Sequence, residues 1–113
     1  MRNLFSGIAL AALTCVSSPA VAAQSMLTSW YGPYYHGRTT ANGETYDMYG
    51  YTAAHKTLPF GTKLRVCLSG CVDVRINDRG PYSGGRQLDL SYAAAKRIGL
   101  IEPGVAKTQV SFL

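Results

Sequence analysis

The chain has 113 residues, 11 Lys and Arg against 6 Asp and Glu, a net charge of +5 and three cysteines. This length supports one domain at most, and the basic residues are scattered without a nucleic-acid-binding motif, which argues against DNA or RNA as a partner. A positive balance suits anionic walls, lipids and polysaccharides outside the cytoplasm.

Residues 1–23 carry a secretory pattern. Arg2 precedes an apolar run from Leu4 to Val16; Ser17, Ser18 and Pro19 break it, and Ala20, Val21, Ala22 and Ala23 form a small-residue cleavage region. The run is too short to span a bilayer, so an exported chain is expected, periplasmic or extracellular, without a transmembrane segment. Cys15 is preceded by Ala12 and Thr14 where a lipoprotein signal has Leu and a small residue, so lipid anchoring through Cys15 is not expected. Cleavage after Ala23 leaves a domain over 24–113, ten Lys and Arg against six acids, a net charge of +4.

Short segments rich in Tyr, Val, Thr and Ile, punctuated by Gly, predict strands over 27–31, 52–54, 63–67, 71–77, 87–89 and 107–113. The hairpin LRVC-LSG-CVDVRIN has a three-residue loop ending on Gly70, where a left-handed residue is expected. Cys67 then faces Cys71, and an exported pair so placed predicts a disulfide rather than a metal site. Ser91 as N-cap, AAAKR and Gly99 predict a helix over 92–98. The fold class is mainly β, a small closed barrel with one or two short helices. Closure removes the sheet edges that a small domain otherwise exposes. No cofactor is called for, and a monomer is expected.

In the strand after Cys71, Val72, Val74 and Ile76 share one face, and Asp78 falls on the same parity. A regular strand would turn its carboxylate to the core side and raise its pKa, as a general acid requires. The same N-D-R-G is also good turn chemistry, with Asp78 bonded to the Arg79–Gly80 amides. Asp89 faces away from Leu88 and Leu90, near the positive end of the predicted helix, where its pKa should fall. Glu44 lies in a polar loop, and His55 follows two alanines. Eight tyrosines and one tryptophan are many for this length. Trp30, Tyr31, Tyr34 and Tyr35 crowd one segment, and such amphipathic rings suit sugar faces. Arg38, Arg79 and Arg86 sit in Gly-bearing loops, where they could bind acidic groups on a glycan.

SWYGPYYHGRTTANGETYDMYGYTAAHKTLPFGT and VRINDRGPYSGGRQLDLSYAAAKRIGL together resemble the RlpA-like (rare lipoprotein A) family from Leu27 to Leu113. The resemblance implies a six-stranded double-psi β-barrel, related to expansins and family 45 endoglucanases. It implies a peptidoglycan-active lytic transglycosylase that cleaves MurNAc–GlcNAc β-1,4 bonds and leaves 1,6-anhydro ends. The family's groove residues in A-N-G-E, A-A-H and N-D-R-G-P are here Glu44, His55 and Asp78, and the Asp of D-L-S in expansin-like barrels matches Asp89. The resemblance makes Asp78 the acid/base, with Glu44 and His55 tuning it or holding sugar, and Asp89 stabilising positive charge. Tyr34, Tyr35, Tyr82, Arg38 and Arg79 are the expected glycan holders. The shortened, Cys-bearing hairpin loop departs from the family, and no SPOR wall-binding repeat follows the barrel, so septal targeting is not implied. The rivals are a non-lytic, expansin-like polysaccharide binder that loosens walls, and a secreted barwin-like effector.

Overall fold

The computed structural model describes residues 23–113. The predicted leader, with Cys15, lies outside the described residues. Six strands form the barrel: β1 (Gln24–Trp30), β2 (Thr52–Ala54), β3 (Lys63–Cys67), β4 (Cys71–Asp78), β5 (Leu88–Leu90) and β6 (Val105–Phe112). One helix, α1 (Tyr92–Ile98), joins β5 to β6, and a 3-10 turn over Pro33–Tyr35 follows β1. The strands close in the order β1-β5-β2-β4-β3-β6. Two parallel pairings, β1 with β5 and β2 with β4, flank the antiparallel contact of β5 with β2. This is the mainly β, six-stranded double-psi arrangement.

Alternation decides what fills the barrel. Along β3 and β4, Leu64, Val66, Val72, Val74 and Ile76 are buried, and the residues that alternate with them as far as Arg75 face out. Leu88 and Leu90 bracket Asp89 in the same way. These residues share one core with Met26, Ala53, Val110 and the inner face of α1: Ala94, Ala95 and Ile98. Complete burial of each large aliphatic side chain is worth about 1.5–3 kcal/mol, the dominant favourable contribution in so small a barrel. Thr28 and Thr108 are two of the buried polar residues. Their hydroxyls lie 2.8 Å apart, and Thr28 donates to the Met26 carbonyl, so neither is left unsatisfied.

β1 begins at Gln24, three residues before the hydrophobic pattern starts, because its backbone pairs with β6 from Gln24↔Val110 to Ser29↔Val105. Main-chain pairing needs no apolar side chains, so the pattern shortens this strand, and it delays β6 in the same way. The helix occupies the predicted span. Ser91 Oγ accepts from the Ala94 amide at 3.3 Å, and Gly99 ends the helix in the left-handed region at φ 81°.

Cys67 and Cys71 are register partners and form the predicted disulfide. Gly70 is not in the left-handed conformation expected of it, since it is not among the glycines with positive φ. Its role is close approach: a Cβ there would lie 3.3 Å from the Arg97 carbonyl oxygen. The Ser69 amide donates to the Ile98 carbonyl at 3.0 Å, which docks the hairpin tip on the end of α1.

Closing so short a loop by a disulfide restricts the unfolded chain by about 2 kcal/mol. Replacing both Cys67 and Cys71 by Ser is therefore expected to lower the unfolding free energy by about 2 kcal/mol. Urea denaturation with and without reductant measures this: the parent should lose stability on reduction, and the double variant should not respond.

Candidate functional site

One register shift builds the site. β4 runs parallel to β2 with Ala53 opposite Ile76, but Ala54 lies opposite Asp78, so Asn77 is skipped as a bulge. A strand slipped by one residue exchanges its two faces. Asn77, on the outward parity, is swallowed with 2% of its surface exposed, and Asp78 turns to the face that Ala54 occupies. Asp78 therefore does not point to the core side as regular alternation predicts. Ala54 is also the partner of Asp89 across β5. The two acids thus flank one small residue, their Cα atoms two strand spacings apart, roughly 10 Å.

Above this row lies a groove of about 420 Å³ that Asp78, Asp89 and Ala54 help to line, walled by the residues after β1 and the turn after Asp78. Of the residues expected to hold substrate, Tyr35, Arg38, Arg79 and Tyr82 line it. Tyr34 does not; it is 86% exposed on the outer side of its turn. Arg86 lines the groove and holds the Ser83 carbonyl at 3.1 Å. Arg79 is fixed by the His55 and Leu58 carbonyls at 3.2 and 2.9 Å and stacks 3.9 Å from the centre of the Phe60 ring.

The two acids differ in surroundings. Asp78 Oδ1 accepts the amides of Ala41 and Arg79, both at 2.9 Å, so the turn bond from Arg79 legible in N-D-R-G is present, while Ala41 rather than Gly80 supplies the second amide. Its Oδ2 has no hydrogen-bond partner among the described residues. Asp89 reverses the helix-dipole expectation. Burial raises its pKa to about 6, against the lowering effects of a 2.9 Å hydrogen bond from Ser29 Oγ and the charge of Arg86; Asp78 adds a further upward push. The helix is capped by Ser91, so Asp89 has no capping role and loses hydration without gaining amide donors.

Glu44 is committed elsewhere and does not line the groove. Its carboxylate accepts from both Arg75 terminal nitrogens, from Asn42 Nδ2 at 2.8 Å and from Asn77 Nδ2 at 3.2 Å. These bonds, Arg75 first, hold its pKa down at about 2. The same carboxylate ties residues 40–44 to the bulge, where the Asn42 amide donates to the Asn77 carbonyl. That contact positions the Ala41 amide on Asp78. His55 also lies outside the lining. Its Nδ1 accepts from the Thr57 and Leu58 amides, both at 3.1 Å, and burial followed by the charges of Arg79 and Lys56 lowers its pKa. It is a neutral ring that shapes the loop holding Arg79, and its own amide donates to the Asp78 carbonyl at 3.2 Å.

Tyr31 and Tyr46 also line the groove; the sequence offered Tyr31 as a sugar-facing ring and gave Tyr46 no role. Their rings pack 4.7 Å apart over Ala54 in a second small core. Burial, then the Asp78 charge, pushes the Tyr31 phenol well above its usual range. Its hydroxyl therefore keeps its proton, and it is buried without a hydrogen-bond partner among the described residues. The place of Tyr31 in the crowded aromatic stretch was visible in the sequence; the burial of the two rings was not.

Residues 23–110 match the family model described as lytic transglycolase. The chain is 55% identical over 85 residues to the endolytic peptidoglycan transglycosylase RlpA of Pseudomonas aeruginosa (strain UCBPP-PA14), covering 73% of this chain and 25% of that protein. It is 45% identical over 101 residues to the Vibrio cholerae protein of that name, covering 87% of this chain and 38% of the relative. The chain therefore spans a quarter to two-fifths of the length of these relatives. Among solved structures, the Streptomyces papain inhibitor superposes with a TM-score of 0.65 at 20% identity, over 86% of this chain and 99% of that one. Cerato-platanin 3 from M. perniciosa gives 0.58 at 13% identity, over 80% and 94%. At these identities the likeness is one of fold alone.

The raised pKa of Asp89 has a consequence for stability. Folding holds the Asp89 proton more tightly than the unfolded chain does, so its stabilising effect is full below the ordinary value of 3.8 and is lost as pH rises through about 6. Above that, the ionised group costs up to about 3 kcal/mol, less what water access screens. Asp89→Asn should therefore gain roughly 1–2 kcal/mol on the parent between pH 4 and pH 7.5. Urea unfolding at both pH values measures the gain, and an equal offset at both would contradict the desolvated acid.

Proposed function

The chain belongs to the lytic transglycolase family, and from that premise we propose that it cleaves peptidoglycan glycan strands at MurNAc–GlcNAc β-1,4 bonds, leaving 1,6-anhydro ends. The observation that carries this reading is the common register of Asp78 and Asp89 with Ala54 on the floor of an aromatic-walled groove. A cavity of this size accommodates a saccharide segment, and its tyrosines and arginines offer ring faces and carboxylate partners.

In the proposed reaction no water enters. The muramic acid 6-hydroxyl attacks its own anomeric carbon. The bond from that carbon to the N-acetylglucosamine O4 breaks, and O4 takes a proton. One carboxyl can donate that proton and then accept the one released by the 6-hydroxyl. The acid separations that sort ordinary glycosidases therefore do not apply. Asp78 takes this part, because its Oδ2 has no partner among the described residues while Oδ1 is anchored by two amides. Asp89 lies deeper and, once ionised, stabilises the positive charge developing on the sugar ring. Glu44 and His55 act as positioning residues: Glu44 sets the Ala41 amide on Asp78, and His55 shapes the seat of Arg79. The predicted leader supports export to the periplasm or beyond, which cell fractionation would test.

Mass spectrometry of products from peptide-stripped glycan strands tests the reaction. Anhydro ends are expected with the parent, and Asp78→Asn should lose about 10²–10⁴ in rate. Hydrolysed ends, or undiminished anhydro products from Asp78→Asn, would overturn it; retained binding with no new ends would leave a non-lytic binder. With Asp89 acting as the ionised stabiliser, its limb of the pH–rate profile should rise through about 6. Asp89→Asn should remove that limb and reduce kcat about tenfold or more, whereas a parent rate falling through that pH would make Asp89 the proton donor instead.

A further inference from the structure

A second concave surface lies on the outer face of α1, away from the two acids. It measures about 630 Å³ and is lined by Tyr49, Tyr51, Tyr92, Lys96 and Arg97, among others. Tyr49 is 68% exposed although it is an aromatic residue on a small domain. Its loop is held rigidly: the Ala93 amide on α1 donates to the Met48 carbonyl at 2.9 Å, and the Met48 amide to His36 Nδ1 at 3.1 Å. The rings continue toward the groove. Tyr49 meets Tyr92 at 6.4 Å, and Tyr92 meets Trp30, a groove residue, at 5.8 Å.

The charges here are of one sign and largely uncommitted. Lys96 Nζ lies 6.0 Å over the Tyr92 ring, and Arg97 lies 5.6 Å over Tyr51 while donating to its hydroxyl at 3.1 Å. Neither forms a salt bridge among the described residues. Of the nearby acids, Asp73 is ion-paired with Arg65 and feels Arg97 only at longer range, and Asp47 accepts from the Tyr49 amide. Exposed rings with unpaired cations beside them match a polymer that alternates apolar ring faces with carboxylates.

We infer that this surface is a second subsite for the anionic glycan strand, in which sugar rings lie on Tyr49 and Tyr92 while strand carboxylates pair with Lys96 and Arg97. The inference rests on the glycan-cleaving reading of the groove, and it extends the strand's path along the aromatic belt from Trp30 to Tyr49. Affinity gained this way is partly electrostatic between exposed groups and therefore falls with salt.

The test uses peptide-stripped glycan strands and the same strands with their lactyl carboxyls reduced to alcohols, with binding measured by fluorescence anisotropy. Lys96→Ala/Arg97→Ala should bind native strands about five- to tenfold more weakly than the parent, with a shallower salt dependence. On reduced strands it should differ from the parent less than twofold. The charge-keeping Lys96→Arg/Arg97→Lys should bind native strands like the parent, and unchanged Tm confirms that the fold is intact. Parent-like binding of native strands by the alanine variant, or an equal loss on both strands, would overturn the subsite. Anhydro ends released by the parent are scored separately. Their absence removes the cleavage reading, while the carboxylate-dependent loss of binding still decides the subsite.

Discussion

The bulge at Asn77 is the constraint on which the site depends. A regular β4 would seal Asp78 among Val72, Val74 and Ile76, where a carboxylate has no water and no partner. Skipping one residue against β2 brings Asp78 and Asp89 to the same face beside Ala54. The slip buries a polar side chain. Asn77 donates to Glu44, but its Oδ1 has no partner among the described residues. An unsatisfied buried acceptor costs about 1–3 kcal/mol. The Glu44 cluster offsets part of that cost and closes residues 40–44 over the bulge.

Charge in the site is divided between fixed and available groups. Glu44 with Arg75, and Arg79 within its cage of carbonyls and Phe60, are frame: each has its hydrogen-bonding capacity directed at the protein. The Glu44–Arg75 pair is about two-fifths exposed, so its contribution to stability is modest. Its value is geometric, since it sets where an amide meets Asp78. Asp89 is the opposite case, an acid held in partial desolvation in a groove it shares with Tyr31 and Tyr46. Such an acid changes charge near neutral pH, which places its ionisation where a reaction can use it.

The sequence by itself determined whatever depends on neighbours along the chain. Alternation in Leu64, Val66, Val72, Val74 and Ile76 marked the hairpin, the spacing of Cys67 and Cys71 marked the disulfide, and Ser91 with Gly99 marked both ends of the helix. The ordered blocks around N-D-R-G-P and D-L-S pointed to the family, and with it to the double-psi barrel, a topology that strand counting alone could not reach.

Only the tertiary structure decided which groups share a space. Asn77 reads as one more outward strand residue until β2 sets its register, so the face of Asp78 could not be read from β4 alone. Asp89 looked like a dipole-stabilised carboxylate because α1 is near in sequence; burial by segments far along the chain raises its pKa instead. Glu44 looked free because Arg75 lies 31 positions away. Tyr34 and Tyr35 are adjacent and chemically alike, yet the turn over Pro33–Tyr35 sends only Tyr35 into the groove. In each case the physical reason is the same: desolvation, ion pairing and register act through space, between segments whose meeting no local pattern encodes.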